Sequence, residues 1–327
     1  MPATPSTPSA AGAEAPLAGL AGGDLLSSAD LSPAQTSALL ELAAELKAGR
    51  RRIDLGGKVL GLIFSKASTR TRVSFTVAMA RLGGQTIDLL PIVTQVGRGE
   101  PVADTARVLS RYCDALAIRT FAQADLEAYA HWATIPVINA LTDLEHPCQA
   151  LADYLTLQEA FGSSPADLAG LTLAYVGDGN NVAHSLMLCG ALLGVNVRIG
   201  CPEGFAPDPA VLERARALAT GGAQISVVHD PLEAARGAQA LYTDVWASMG
   251  QEEEQAERER AFSGWCLDEA LLSEADPRAI VLHCLPAHRG EEISAGVIEG
   301  SASRVFDQAE NRLHAQQALL ATLLGGL

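Results

Sequence analysis

The chain has 327 residues, 48% hydrophobic and 19% charged, with a formal net charge of −15. That length exceeds one ordinary core and suits two domains. The acidic balance argues against a nucleic-acid or anionic-membrane partner, which needs clustered positive charge, and no apolar run approaches the length that spans a bilayer. Basic residues in such a background must act locally, which points to an anionic small molecule.

The opening MPATPSTPSAAGAEAPLAGLAGG is rich in Pro, Ala, Ser and Gly, and the first basic residue is Lys47. It lacks the positive segment of a signal peptide and the arginines of a transit peptide, so residues 1–23 read as a disordered tail. Ser32-Pro33-Ala34-Gln35 carries an N-cap, a first-position Pro and a capping-box Gln, and opens a helix ending near Gly49. Strand-like runs follow at 58–64, 85–90, 114–119 and 136–141, with helical segments between them. HPCQALADYLTLQEAF (146–161) reads as a helix, and a polar SSPAD break follows it. A second alternating series places strands within 171–177, 195–200, 223–229, 238–245 and 279–286, before a last amphipathic helix at 308–324.

Repeated βα units predict parallel sheets covered on both faces. The fold class is therefore α/β: two domains, each a mostly parallel sheet flanked by helices, with the active site in the cleft between them. The expected boundaries are a tail at 1–23, a first domain at 24–150 closed by a C-terminal helix at 308–325, and a second domain at 151–307. Six cysteines, at 113, 148, 189, 201, 266 and 284, show no CxxC or zinc-like spacing and sit mostly in apolar patterns. Reduced buried thiols in a reducing cytoplasm are expected.

Ligands of such sheets bind beyond the carboxyl ends of the strands, and the polar residues collect there. FSKASTRTRVSF (64–75) turns a strand into a helix. Ser68, Thr69, Arg70 and Thr71 stand where the first backbone N–H groups lack intrahelical partners and the dipole favours an anion. A phosphate cradle is the functional reading and a simple N-cap the bland one. Arg119 ends the strand at 114–119. His146 and Gln149 share one face of a helix start, although a lone histidine is usually a satisfied core residue. GDGNNV (177–182) follows a strand as a dinucleotide fingerprint would, but Val182 replaces the third glycine and no clear acidic residue ends the next strand. Asn180 and Asn181 could bind a polar ligand or cap the helix. Cys284 lies beside His283 and near His288, so a Cys–His nucleophile stays open, as does a core thiol.

STRTR at 68–72, HPCQ at 146–149 and HCLP at 283–286 occur in this order, with DVWASMG at 244–250. In these motifs the chain from about residue 24 to its end resembles the aspartate/ornithine carbamoyltransferase family, and DVWASMG resembles the ornithine-specific members. The resemblance implies transfer of a carbamoyl group from carbamoyl phosphate to the δ-amine of L-ornithine, giving citrulline and phosphate, most commonly in arginine biosynthesis. It implies no metal or cofactor, and a homotrimer with shared active sites. By the same resemblance, Ser68, Thr69, Arg70 and Thr71 cradle the phosphate, Arg119 bridges phosphate and carbonyl oxygen, and His146 donates to that oxygen. Gln149 and the backbone at Cys284 and Leu285 hold the carbamoyl amine, Arg312 completes the site, and Gln95 reaches in from a neighbouring subunit. Asn181, Asp244, Ser248 and Met249 grip the α-groups of ornithine. Arg119, His146 and Cys284 are the expected catalytic residues, with Cys284 orienting the amine rather than being acylated. Ala67 departs from the family, many members having Pro there. Two other classes compete: a nicotinamide oxidoreductase, opposed by Val182, and a non-catalytic anion-binding protein, which would need STRTR alone.

Overall fold

The computed structural model of the chain describes residues 11–90, 95, 99–246 and 255–327. Among them, nine strands form two sheets in which every pairing is parallel. The first sheet holds β1 (Val59–Phe64), β2 (Gln85–Leu89), β3 (Ala115–Arg119) and β4 (Val137–Leu141) in the order β2-β1-β3-β4. The second holds β5 (Thr172–Val176), β6 (Asn196–Gly200), β7 (Ile225–Val228), β8 (Ala240–Thr243) and β9 (Ile280–His283) in the order β7-β6-β5-β8-β9. Each strand falls inside the run that predicted it. Parallel strands buried on both faces read as short continuous apolar stretches, as β1 and β3 do.

In each sheet the winding reverses once, between β1 and β3 and between β5 and β8. A crevice opens at such a reversal, because successive crossovers leave in opposite directions. STRT follows β1, Arg119 ends β3, GDGNN follows β5 and Asp244 follows β8, so both reversals carry polar chemistry. A register shift between Ile118 and Arg119, where β3 pairs with β4, also marks the end of β3. Such irregularities re-aim a side chain next to a site.

The helix Pro147–Phe161 joins the two series, and every residue from Pro147 to Gln158 is buried. It packs on the helix Asn181–Leu192 and on the C-terminal helix Val305–Leu323. The latter returns to the first half and also lies against the helices Pro33–Lys47 and Thr69–Arg81. One apolar cluster consequently runs through both halves. The capping box expected at the start of Pro33–Lys47 is formed: Gln35 N–H donates to Ser32 Oγ (3.2 Å) and Ser32 N–H to Gln35 Oε1 (2.8 Å).

The expected tail is corrected in its second part. Ala11–Ala18 is helical, Leu17 is buried in the main core, and Gly22 N–H donates to Leu323 O (2.9 Å). Arg51 donates to Glu14 of this helix. Its sequence, AGAEAPLA, has almost no amphipathic pattern, so local periodicity could not reveal it; docking of Leu17 and an ion pair hold it. Residues 1–10 lie outside the described residues. Leu17→Ala should lower stability by about 2 kcal/mol or more, the usual cost of emptying a buried leucine site. A thermal midpoint equal to that of the parent would return Leu17 to a tail.

Candidate active site

A cavity of about 890 Å³ lies between the two halves at the carboxyl ends of both sheets. Ser68, Thr69, Arg70, Thr71, Arg119, His146, Gln149, Asn181, Asp244, Cys284, Leu285 and Arg312 all line it. Gln95 is exposed and is not part of the lining in the single chain. Ser248 and Met249 lie outside the described residues.

The first wall starts at the helix Thr69–Arg81. Ser68 is its N-cap, and Thr71 N–H donates to Ser68 Oγ (3.3 Å). The capping and cradle readings are therefore compatible, because a helix has several unpaired N–H groups and one cap satisfies only part of them. Arg312, on the C-terminal helix, donates to Thr71 Oγ1 (2.7 Å) and to Gln149 Oε1. Arg70 reaches across the cavity to the carbonyl oxygen of Leu285. No carboxylate among the described residues forms a salt bridge with Arg70, Arg119 or Arg312. Burial, then Arg312 and Arg70, push the Arg119 guanidinium down to about 10, and burial likewise lowers Arg312. The Nε atoms of Arg119 and Arg312 have no hydrogen-bond partner. Crowded, unneutralised guanidiniums with spare donors constitute an anion site.

His146 stands among these cations. Burial first, then Arg312, Arg119 and Arg70, hold its ring well below the usual histidine range, so it is neutral. Nε2 faces Arg312 Nη1 at 3.4 Å, and a guanidinium only donates, which assigns the ring proton to Nδ1. Nδ1 has no protein partner. A neutral imidazole holding an uncommitted N–H can stabilise an oxygen that gains negative charge. The backbone N–H of His146 donates to Ser185 Oγ (2.8 Å), and Asn181 Nδ2 donates to Thr142 O (2.6 Å), so the helix Asn181–Leu192 fixes the loop that carries His146.

The second wall is acidic. Asp244 accepts from Asn180 Nδ2 (3.0 Å) and from Cys284 Sγ (2.9 Å). Burial, followed by Asp244, pushes the Cys284 thiol well above its ordinary value. A protonated thiol is a poor nucleophile, so the Cys–His reading loses its physical basis. Both nitrogens of His283 are engaged as well: Nδ1 accepts from Leu285 N–H (2.9 Å), and Nε2 lies 3.0 Å from Glu292 Oε1. These bonds hold Leu285, whose φ of 60° is the left-handed region, at a local cost of about 1–2 kcal/mol. The twist presents the Leu285 carbonyl to Arg70.

GDGNN lines the cavity and at Gly179 is also closely packed. A Cβ on Gly179 would lie 2.3 Å from the backbone nitrogen of Pro207, and Val182 is buried. Asn180 caps the following helix while it holds Asp244, an anchoring role next to the cavity-lining Asn181. Two clusters bring possible metal-ligating atoms within 4.8 Å of one another, Asp244 with His283 and Cys284, and His288 with Glu291 and Glu292. The first would have to break the bonds just described, and the second has two exposed members out of three. Lys66, Asp178, His184 and Arg258 also line the cavity. Lys66 lay within the strand-end motif and pairs with Asp143 (2.5 Å) under the ring of Phe121; no sequence signal marked Arg258, which pairs with Asp178 (2.7 Å).

Residues 23–159 match the family model described as "Aspartate/ornithine carbamoyltransferase, carbamoyl-P binding domain", and residues 169–323 match that of the "Asp/Orn binding domain" of the same family. The chain belongs to the aspartate/ornithine carbamoyltransferase family. Among its relatives is an ornithine carbamoyltransferase of Parasynechococcus marenigrum, 76% identical over 318 residues, covering 97% of this chain and 99% of the relative. One from Prochlorococcus marinus is 73% identical over 97% of this chain and 98% of its own. The solved ornithine carbamoyltransferase of Gloeobacter violaceus has a TM-score of 0.84 at 60% identity, over 92% of this chain and 98% of its own, and that of Pyrococcus furiosus has 0.88 at 49%, over 94% and 99%. The family's two-sheet architecture is the one described above.

The depressed His146 ring gives a pH signature. A folded value below the unfolded one near 6.5 means that the unfolded chain binds the extra proton first. The corresponding stability is present above about pH 6.5 and is lost as pH falls through the folded value. In the ligand-free protein, the assigned His146 ring resonance should remain that of neutral imidazole at pH 6, and Arg312→Met should move its midpoint upward. A midpoint of 6.5 in the parent would show that the guanidiniums do not act on it.

Proposed function

We propose that this protein transfers the carbamoyl group of carbamoyl phosphate to the δ-amine of L-ornithine, giving L-citrulline and phosphate. The observation that carries the proposal is the two-signed cavity: unneutralised guanidiniums around neutral His146 on one wall, and Asp244 with a protonated Cys284 on the other. Ser68, Thr69, Arg70, Thr71 and Arg312 would bind the phosphate. Arg119 would bridge phosphate and carbonyl oxygen, which His146 would also meet through Nδ1–H. Gln149 and the backbone at Cys284 and Leu285 would hold the carbamoyl amine. Asn181, Asp244, Ser248 and Met249 would take the α-groups of ornithine, and the Cys284 thiol would orient the amine end. As the neutral amine adds to the carbonyl carbon, negative charge moves onto the carbonyl oxygen beside Arg119 and His146. The bond to the phosphate oxygen then breaks, and the departing phosphate takes up the proton that the attacking amine loses and leaves into the cationic wall. The names of the relatives support ornithine as the acceptor.

The domain division extends the same proposal: residues 24–150, closed by a C-terminal helix at 308–325, would bind carbamoyl phosphate, and 151–307 would bind ornithine. The place of action would be the cytoplasm, in arginine biosynthesis; no helix among the described residues is long and apolar enough to cross a membrane, and all six cysteines are unpaired.

The test is citrulline formation from carbamoyl phosphate with ornithine, aspartate and putrescine compared side by side; ornithine alone should give a substantial rate. Cys284→Ser should keep its affinity for carbamoyl phosphate and raise the KM for ornithine. A carbamoyl thioester trapped on the parent protein and seen by mass spectrometry would sink the orienting role.

The proposed assembly is a homotrimer in which exposed Gln95 serves the cavity of a neighbouring subunit. Val73, Ile87, Val108 and Tyr112, all exposed on the first half, offer apolar surface for such contacts. Gln95→Ala and Arg70→Ala, each strongly impaired alone, should then complement when dissociated, mixed and reassociated. Activity no higher than the parental average, with mixed trimers confirmed by native mass spectrometry, would place both residues within one chain's site.

A further inference from the structure

Below the cavity floor lies a carboxylate to which the reaction as described assigns no task. Asp153 sits four residues after Gln149 on the helix Pro147–Phe161, with no exposed surface. Its Oδ1 accepts from Gln149 Nε2 (2.8 Å) and from Gln308 Nε2 (2.6 Å), and its Oδ2 has no partner. An accepting oxygen permits only one orientation of the two amides, since each has one donating and one accepting end. Their carbonyl ends must point the other way. Gln149 Oε1 accepts from Arg312, and Gln308 Oε1 accepts from the His283 N–H (2.9 Å), one residue before Cys284. Gln308 Nε2 also lies 3.1 Å from the hydroxyl of Tyr242 on β8.

We propose that Asp153 is a positioning residue for carbamoyl transfer: by accepting from both glutamine amides it keeps the Gln149 carbonyl oxygen turned toward the substrate's carbamoyl NH2 and, through Gln308, fixes the strand end that carries Cys284. The inference rests on the carbamoyl phosphate reading of the cavity. Arg312 holds the other end of the Gln149 amide. An arriving phosphate competes for the donors of Arg312, and Asp153 is the anchor that stays. Without it, Gln149 Nε2 would be buried with no acceptor, a cost that drives the amide to turn or shift. Burial raises the Asp153 carboxyl to about 7, and a proton on the unpartnered Oδ2 leaves Oδ1 accepting, so the anchor works in either protonation state. Asparagine at this position keeps the same accepting oxygen.

Two ligands of nearly equal shape make the test: phosphonoacetamide, which has the amide NH2, and acetonylphosphonate, which has a methyl group in its place. Affinities of both are measured by calorimetry on the assembled full-length parent and on Asp153→Asn, Asp153→Leu and Asp153→Ser. The parent should prefer the amide ligand. Asp153→Asn should keep that preference to within about threefold, while Asp153→Leu and Asp153→Ser should lose about tenfold of it, the scale of one hydrogen bond. Equal weakening of both ligands, or an unchanged preference in Leu and Ser variants that fold, overturns the positioning role. So does failure of all three variants to fold, which would make Asp153 a residue of folding alone. A parent that binds neither ligand would instead overturn the carbamoyl phosphate reading, so the two failures are distinguishable.

Discussion

Arg119 and Arg312 are buried around one neutral imidazole, Arg70 stands beside them, and no described carboxylate forms a salt bridge with any of the three. Removing a charge from water without an ion-pair partner costs several kcal/mol, and a fold can hold such a group only if contacts elsewhere offset it. Here the offset comes from a core that is continuous through both halves and from neutral hydrogen-bond acceptors on Arg312. The chain as a whole carries −15, so its distant charges repel an anion. Attraction is therefore short-ranged: screening confines it to about 8 Å at physiological salt, and the donors act once the ligand is inside the cavity.

The same constraint shapes the opposite wall. A carboxylate close to the guanidiniums could neutralise them and close the anion site. Asp244 is instead held on the far side by Asn180 and by the Cys284 thiol, whose proton it keeps in place. The cavity thus presents separate positive and negative surfaces, as a transfer between an anionic donor and an ammonium-bearing acceptor requires. The two walls are tied by buried side chains running from Thr71 through Arg312, Gln149, Asp153 and Gln308 to the backbone of His283. Buried polar chains of this kind set geometry more than net stability, because each member left unpaired would cost more than a satisfied one contributes.

The strands and the long helices were legible because their causes are local, whereas the reversal of strand order appears only in the folded sheets. A doubly buried parallel strand must be a short apolar run, and a helix start must find caps, as Ser68 and Ser32 show. Strand-end placement made Arg119, Asp244 and Cys284 visible as candidates. The helix Ala11–Ala18 was not legible, because its stability lies in the docking of Leu17 and the pairing of Glu14 with Arg51 rather than in its own pattern. Arg258 escaped for a similar reason: its partners Asp178 and Trp246 come from other strand ends.

By itself, then, the sequence determined the α/β class, the two series of βα units and the residue types at the strand ends, all properties of segments a few residues long. Tertiary structure alone decided which ends face one another. Thr71 and Arg312 are 241 residues apart, and Asp153 and Gln308 are 155 apart. The neutrality of His146 and the protonation of Cys284 follow from burial and from the guanidiniums and carboxylate that those distant segments bring near. Electrostatic shifts depend on distance through space and on exclusion of water, and neither is written in the order of residues along the chain.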